Sequence, residues 1–97
     1  MSASIVHRCH AAGCPQRIPP ILLFCPRHWQ MVPKAIQFRV VAAYRLGQEH
    51  RKDPTLQWCL AADAAVAHVA GLEGRDVAVT FCAAFYPAQP RAQAARP

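Results

Sequence analysis

The hydrophobic and polar positions divide the chain into stretches of different rhythm. From Cys9 to Trp29 no period is sustained: Gly13, Pro15, Pro19, Pro20 and Pro26 interrupt it, and only Ile21 to Phe24 is an apolar run long enough for one short strand. From Lys34 to Leu46 the rhythm becomes helical. Ile36, Val40, Ala43 and Gly47 fall on one stripe with Phe38, Val41 and Leu46 beside it, while Lys34, Arg39 and Arg45 point away. Pro33 suits the first turn of this helix and Gly47 its stop. After a polar loop over 48–52, Asp53 and Pro54 read as N-cap and first residue of an Ala-rich helix that runs to about Ala70 and ends at Gly71. Leu56, Cys59, Leu60, Val66, Ala67 and Val69 give it a broad apolar surface, and the short connection predicts antiparallel packing on the first helix. Asp76 to Phe85 is too short for periodicity to decide between a strand, a third helix and a helical extension; strand is the reading taken. Residues 87–97 are rich in Pro, Ala, Gln and Arg, with nothing to bury, and read as a flexible tail.

An apolar content of 54% argues against a wholly disordered chain, but 97 residues support only one small core, to which a metal would contribute a real share of stability. The five cysteines are an odd number, and Met1 to Arg8 has no apolar segment that would direct export. The run Ile18 to Phe24 is too short, and too broken by prolines, to span a membrane. A reducing cytoplasmic setting is therefore expected, in which clustered Cys and His point to metal rather than to disulfides.

The cluster reads Cys9-x4-Cys14-x10-Cys25-x2-His28. Zinc is held by soft thiolate and imidazole ligands in two close pairs, each delivered by a tight turn, and both pairs here sit in turn-forming sequence. Four ligands fill the coordination shell, so one structural Zn2+ is expected, held by Cys9, Cys14, Cys25 and His28. His10 and His7 adjoin Cys9 and stand as alternatives to His28, or as supports for a ligand. Cys59 and Cys82 lie in apolar stretches and read as small core residues. The fold expected is thus small, zinc-stabilised and mainly α: a zinc knuckle over 9–29 packed on an antiparallel helix pair over 33–71, with room for short strands. Residues 1–86 form one domain in this reading, with 72–86 left open.

Charge changes the picture next. Residues 1–53 carry eight basic side chains and two acidic ones, so the whole net charge of +6 belongs to the cysteine-rich half. A negatively charged partner fits such a surface. No catalytic constellation accompanies it: the chain has no His-x-Glu with a later Pro-Cys-x-x-Cys, no Gly-rich phosphate loop and no nucleophile elbow. A binding protein is expected, rather than an enzyme.

From Cys9 to Ala70 the sequence resembles a group of small, uncharacterised zinc-finger-like proteins of phages and prophages. The resemblance rests on GCPQRIPPILLFCPRHWQMVPKAI, then AYRLGQEHRKDP, then the Ala-rich helix, and its most specific pieces are Cys-x2-His-Trp-x2-Val-Pro and Tyr-Arg-x-Gly-Gln-Glu. These carry over as Cys25, His28, Trp29, Val32, Pro33, Tyr44, Arg45, Gly47, Gln48 and Glu49. The resemblance implies a protein made from a phage or prophage in a bacterial cytoplasm, acting stoichiometrically on a phage or host macromolecule, for example to block a competing phage. Two functions follow as expectations. In the first, Arg27, Trp29, Arg39, Tyr44 and Arg45 contribute to a surface that docks on a phage or host protein. In the second, scattered basic residues including Arg17, Lys34, Arg51 and Lys52 bind nucleic acid as a regulator. The first is preferred because the basic residues are spaced singly and the Cys-x2-4-Cys-x12-His-x3-5-His spacing of base-reading fingers is missing. Oligomeric state is left open by the sequence.

Overall fold

The computed structural model describes residues 7–77 and 80–87. They form a mainly helical chain of α1 (Pro26–Trp29), α2 (Lys34–Ala43), α3 (Gln48–Arg51), α4 (Leu56–Glu73) and α5 (Phe81–Phe85). The expected tail falls mostly on residues 88–97, which lie outside the described residues.

The cysteine-rich segment opens with a short antiparallel turn-back. The Cys9 N–H donates to the Gln16 carbonyl at 2.9 Å, the Ile18 N–H donates to the His7 carbonyl at 3.1 Å, and Arg8 and Arg17 pair in an isolated bridge. No strand forms at Ile21 to Phe24; the chain turns there, with the Leu22 N–H donating to the Pro19 carbonyl at 3.0 Å. Pro19 and Pro20 remove two backbone donors just ahead of the run, where a ladder would start.

The first long helix starts where the pattern puts it but stops three residues early. Tyr44 is extended (φ −69°, ψ 136°), and Gly47 at φ 84° opens α3 instead of closing α2. The polar loop expected over 48–52 is mostly this helical turn. The Tyr44 hydroxyl donates to Glu49 Oε1 at 2.6 Å and accepts from the Gly47 N–H at 3.3 Å, while buried Gln48 accepts from the Arg45 N–H at 2.9 Å. Tyr44, Gly47, Gln48 and Glu49 therefore close a compact corner on themselves. The hydrogen bond from Tyr44 holds the Glu49 carboxyl below its usual range, and the same carboxylate holds the Tyr44 phenol above its own.

The N-cap of α4 is Thr55, whose Oγ1 accepts from the Trp58 N–H at 3.0 Å. Asp53 is drawn away by Arg45 at 3.0 Å and Arg51 at 3.1 Å, and the helix starts after Pro54. At the other end α4 passes through Gly71, where a helical backbone is no strain for glycine, and stops at Gly74 with φ 68°. Its buried face also differs from the expectation: Leu60 and Ala67 are exposed, and Ala61, Ala62, Ala65 and Ala70 join Cys59, Val66 and Val69 inside. Small side chains there let neighbouring backbone approach closely. α4 packs against both α2 and α5, and the Thr55 hydroxyl, donating to the Ala43 carbonyl at 3.3 Å, brings the start of α4 beside the end of α2. One core joins Cys9, Phe24 and Cys25 of the first segment to Val40 of α2 and Ala62 and Val69 of α4.

The segment read as a strand is, in its described part after residue 79, the short helix α5. Its first N–H groups find side-chain oxygens: Thr80 Oγ1 accepts from Ala83 at 3.0 Å, and Asp63 of α4 accepts from Phe81 at 2.7 Å and Cys82 at 3.0 Å. A carboxylate aimed at helix-end donors is what tips this short apolar run to helix. Asp63→Ala is expected to cost about 1–2 kcal/mol, the usual loss for a cap, and to strip amide-exchange protection from α5 while α4 keeps its own; uniform loss along both helices would contradict this local role.

Among the described residues, no helix is long and apolar enough to cross a membrane.

Candidate metal centre

Three turns deliver the ligand atoms. Cys9 leads out of the turn-back and its backbone N–H is spent on Gln16. Ala11 to Cys14 then forms a tight turn, the Cys14 N–H donating to the Ala11 carbonyl at 3.0 Å with Gly13 at φ 78°. That φ is easy for glycine alone, and a Cβ at this position would also stand 2.7 Å from the Arg75 guanidinium. Cys25 is the N-cap of α1, and Pro26 occupies its first turn. One helical turn separates Cys25 from His28, so both side chains lie on one face.

The Sγ atoms of Cys9, Cys14 and Cys25 and a ring nitrogen of His28 all lie within 4.8 Å of one another. His28 Nδ1 is 3.2 Å from Cys25 Sγ and 3.5 Å from Cys9 Sγ. Nitrogen and sulfur atoms on adjacent corners of a zinc tetrahedron, at ordinary bond lengths, are about 3.5 Å apart, so the spacing suits a small tetrahedral ion. Cys9, Cys25 and His28 are buried, with His28 only 2% exposed, and Cys14 is half-buried. Three thiols and an imidazole converging in this way can hold a metal ion.

The surroundings press the thiols in opposite directions. Burial pushes Cys9 up to about 11. Burial also works to raise Cys25, but hydrogen bonds from the His28 backbone and side chain and from the neighbouring thiols outweigh it and bring Cys25 down to about 7. Cys59 takes no part: burial pushes it up to about 12, which keeps it a protonated core thiol. Cys82 is likewise buried, in α5.

The other candidate histidines point elsewhere. His7 Nε2 lies 2.8 Å from the Leu22 carbonyl, and the His10 ring stacks at a tilt on Phe81 with 4.9 Å between centroids. Neither enters the thiol cluster. One further residue does touch it, from the far end of the chain. Glu73, in the last turn of α4, places Oε2 3.0 Å from His28 Nε2, and Arg27 reaches the same oxygen at 3.5 Å. The hydrogen bond with His28 keeps the Glu73 carboxyl below its usual range, with His28, Arg27 and Arg75 adding to it. Composition gives no sign of this contact; in sequence Glu73 lies two residues beyond Gly71, where the pattern ends the helix, and only the extra half-turn of α4 brings it to His28.

The residues expected to meet a partner lie along two grooves that share Tyr44 and beside the metal cluster. Trp29 and Tyr44 line a common apolar cleft of about 460 Å3 with Ile21, Leu22, Val41 and Trp58. Arg39, Arg45 and Tyr44 border a second groove, with Phe38 and Leu60. Arg27 lies apart from both, beside the metal cluster with Glu73. Phe38, Val41 and Leu46, expected to flank the buried stripe of the first helix, are 73%, 65% and 82% exposed. No protein-family model, curated protein or solved structure matches the chain.

Proposed function

We propose that this chain is a zinc-stabilised module that acts stoichiometrically by docking on another protein, in the phage or prophage setting that its motifs imply. The observation that carries the reading is the apolar cleft around Trp29 and Tyr44, with exposed Val41 in its lining and exposed Phe38 in the second groove that also reaches Tyr44. Contiguous exposed apolar surface of this kind marks protein interfaces. Its aromatic lining is the residue type that dominates binding energy when buried by a partner.

Zinc is the ion favoured by three thiolates and one imidazole at tetrahedral spacing. Four protein ligands leave it no open position, so its role is to hold the fold. The partner chemistry follows from the rim. Arg39 and Lys34 stand exposed on α2 beside Phe38, so the surface suits a protein segment that presents apolar side chains next to carboxylates.

Ion pairing weakens the nucleic-acid reading. Arg45 and Arg51 are paired with Asp53, and Arg27 and Arg75 with Glu73, so at these four of the eleven basic side chains a phosphate would have to compete with a carboxylate already in place. The test is an affinity pull-down from phage-infected bacteria with wild type and Val41→Glu, each in nuclease-treated and untreated halves. A protein companion that survives nuclease and is lost with Val41→Glu, while that variant melts as wild type does, is the expected result. Nucleic acid recovered alone, with companions lost after nuclease, would replace this reading with the regulator.

A further inference from the structure

We infer that Glu73 is a positioning residue of the metal centre, setting which nitrogen of His28 meets the metal and raising the affinity of the site. The inference rests on the metal reading above and adds a residue that lies outside the four ligands.

The imidazole of His28 is held between two chemistries. Its Nδ1 faces the sulfurs of Cys25 and Cys9 at 3.2 and 3.5 Å, and its Nε2 faces Glu73 Oε2 at 3.0 Å. A neutral imidazole carries one N–H and one lone pair, and an ionised carboxylate can only accept. Glu73 therefore selects the tautomer with the proton on Nε2, donated to the carboxylate, and leaves the lone pair of Nδ1 aimed at the thiol cluster. Arg27 Nη2 also lies 3.1 Å from Nε2, but a guanidinium has only donors, so with Nε2 protonated its productive partner is Glu73. The burial of His28 makes this choice matter: the ring has no water to satisfy the wrong tautomer.

Glu73 is itself well suited to hold a bearing. Its side chain is only 19% exposed, it sits in the last turn of an 18-residue helix, and Arg27 approaches it from the α1 side and Arg75 from beyond the helix end, at 3.5 and 3.9 Å. A carboxylate that accepts the free N–H of a ligating histidine orients the ring and makes its metal-bound nitrogen more basic, typically worth about 10–100-fold in metal affinity.

The experiment is competitive titration of zinc against a chromophoric chelator on the full chain, for wild type, Glu73→Ala and Glu73→Gln. Long-range 1H–15N correlation of the histidine ring accompanies it. Wild type is expected to bind one zinc with His28 coordinated through Nδ1 and protonated at Nε2. Glu73→Ala should bind about 10–100-fold more weakly, and Glu73→Gln, which keeps a neutral acceptor, should lose less. Zinc affinity unchanged in Glu73→Ala, or a wild-type His28 coordinated through Nε2, would overturn the inference while leaving the metal centre standing. If Glu73→Ala does not fold, the wild-type ring spectrum decides alone. A wild-type chain that takes up no zinc would remove the metal centre itself, and this inference with it.

Discussion

Chelation of the zinc-loaded protein is expected to lower its melting temperature by more than about 20 °C, or to leave no cooperative transition. Structural zinc sites contribute apparent free energies of about 10–16 kcal/mol, comparable with or larger than the whole stability of a small domain, and each kcal/mol corresponds to about 4–8 °C in a domain of this size. The site is also continuous with the core rather than an appendage to it, since Cys9 and Cys25 are packed with Phe24, Val32 and Val40. Differential scanning calorimetry with and without chelator checks this. Superimposable melts would mean that the cluster holds no stabilising metal and that the helices stand by themselves.

The second large effect separates the five cysteines into two kinds. Cys25→Ser is expected to leave little folded protein: serine suits the N-cap position, so the loss is that of the buried thiol that faces His28 Nδ1 in the cluster. Cys59→Ala, at a position with no exposure at all, should cost only the loss of one buried sulfur, about 1–2 kcal/mol. Soluble yield and melting temperature of both variants in zinc-containing buffer make the comparison. If Cys59→Ala were the more damaging, the cluster around His28 would not be the metal-binding one.

The clustering of Cys9, Cys14, Cys25 and His28 is legible in the sequence because the ligands come as two close pairs within turn-forming residues, so local chemistry alone sets most of the geometry. The existence of the long helix α4 is legible for a similar reason, since an Ala-rich run is a local property, although it passes through Gly71, the stop expected from sequence, and ends at Gly74. What the periodicity misplaces is decided across the chain. Thr55 rather than Asp53 caps α4 because Arg45 and Arg51 compete for the aspartate. Residues 81–85 become helical because Asp63, 18 residues earlier, supplies acceptors to Phe81 and Cys82. The buried alanines of α4 and the exposure of Phe38 and Val41 depend on which face meets a neighbour, and at low amphipathic contrast no pattern of apolar residues chooses that face. The Tyr-Arg-x-Gly-Gln-Glu piece invites a functional reading in sequence, yet Tyr44, Gly47 and Glu49 are engaged with one another, and Gln48 with the Arg45 backbone, in closing a corner. Tyr44 alone among them also lines both grooves.

The four ligands span only residues 9–28, whereas the contact between Glu73 and His28 joins positions 45 apart. Loops that short are cheap to close, so the cluster is brought together by local chain, whereas the Glu73 contact requires α4 to have packed beside it. The carboxylate of Glu73 is thus a latch between the long helix and the cysteine-rich segment, made only when the two stretches of chain dock.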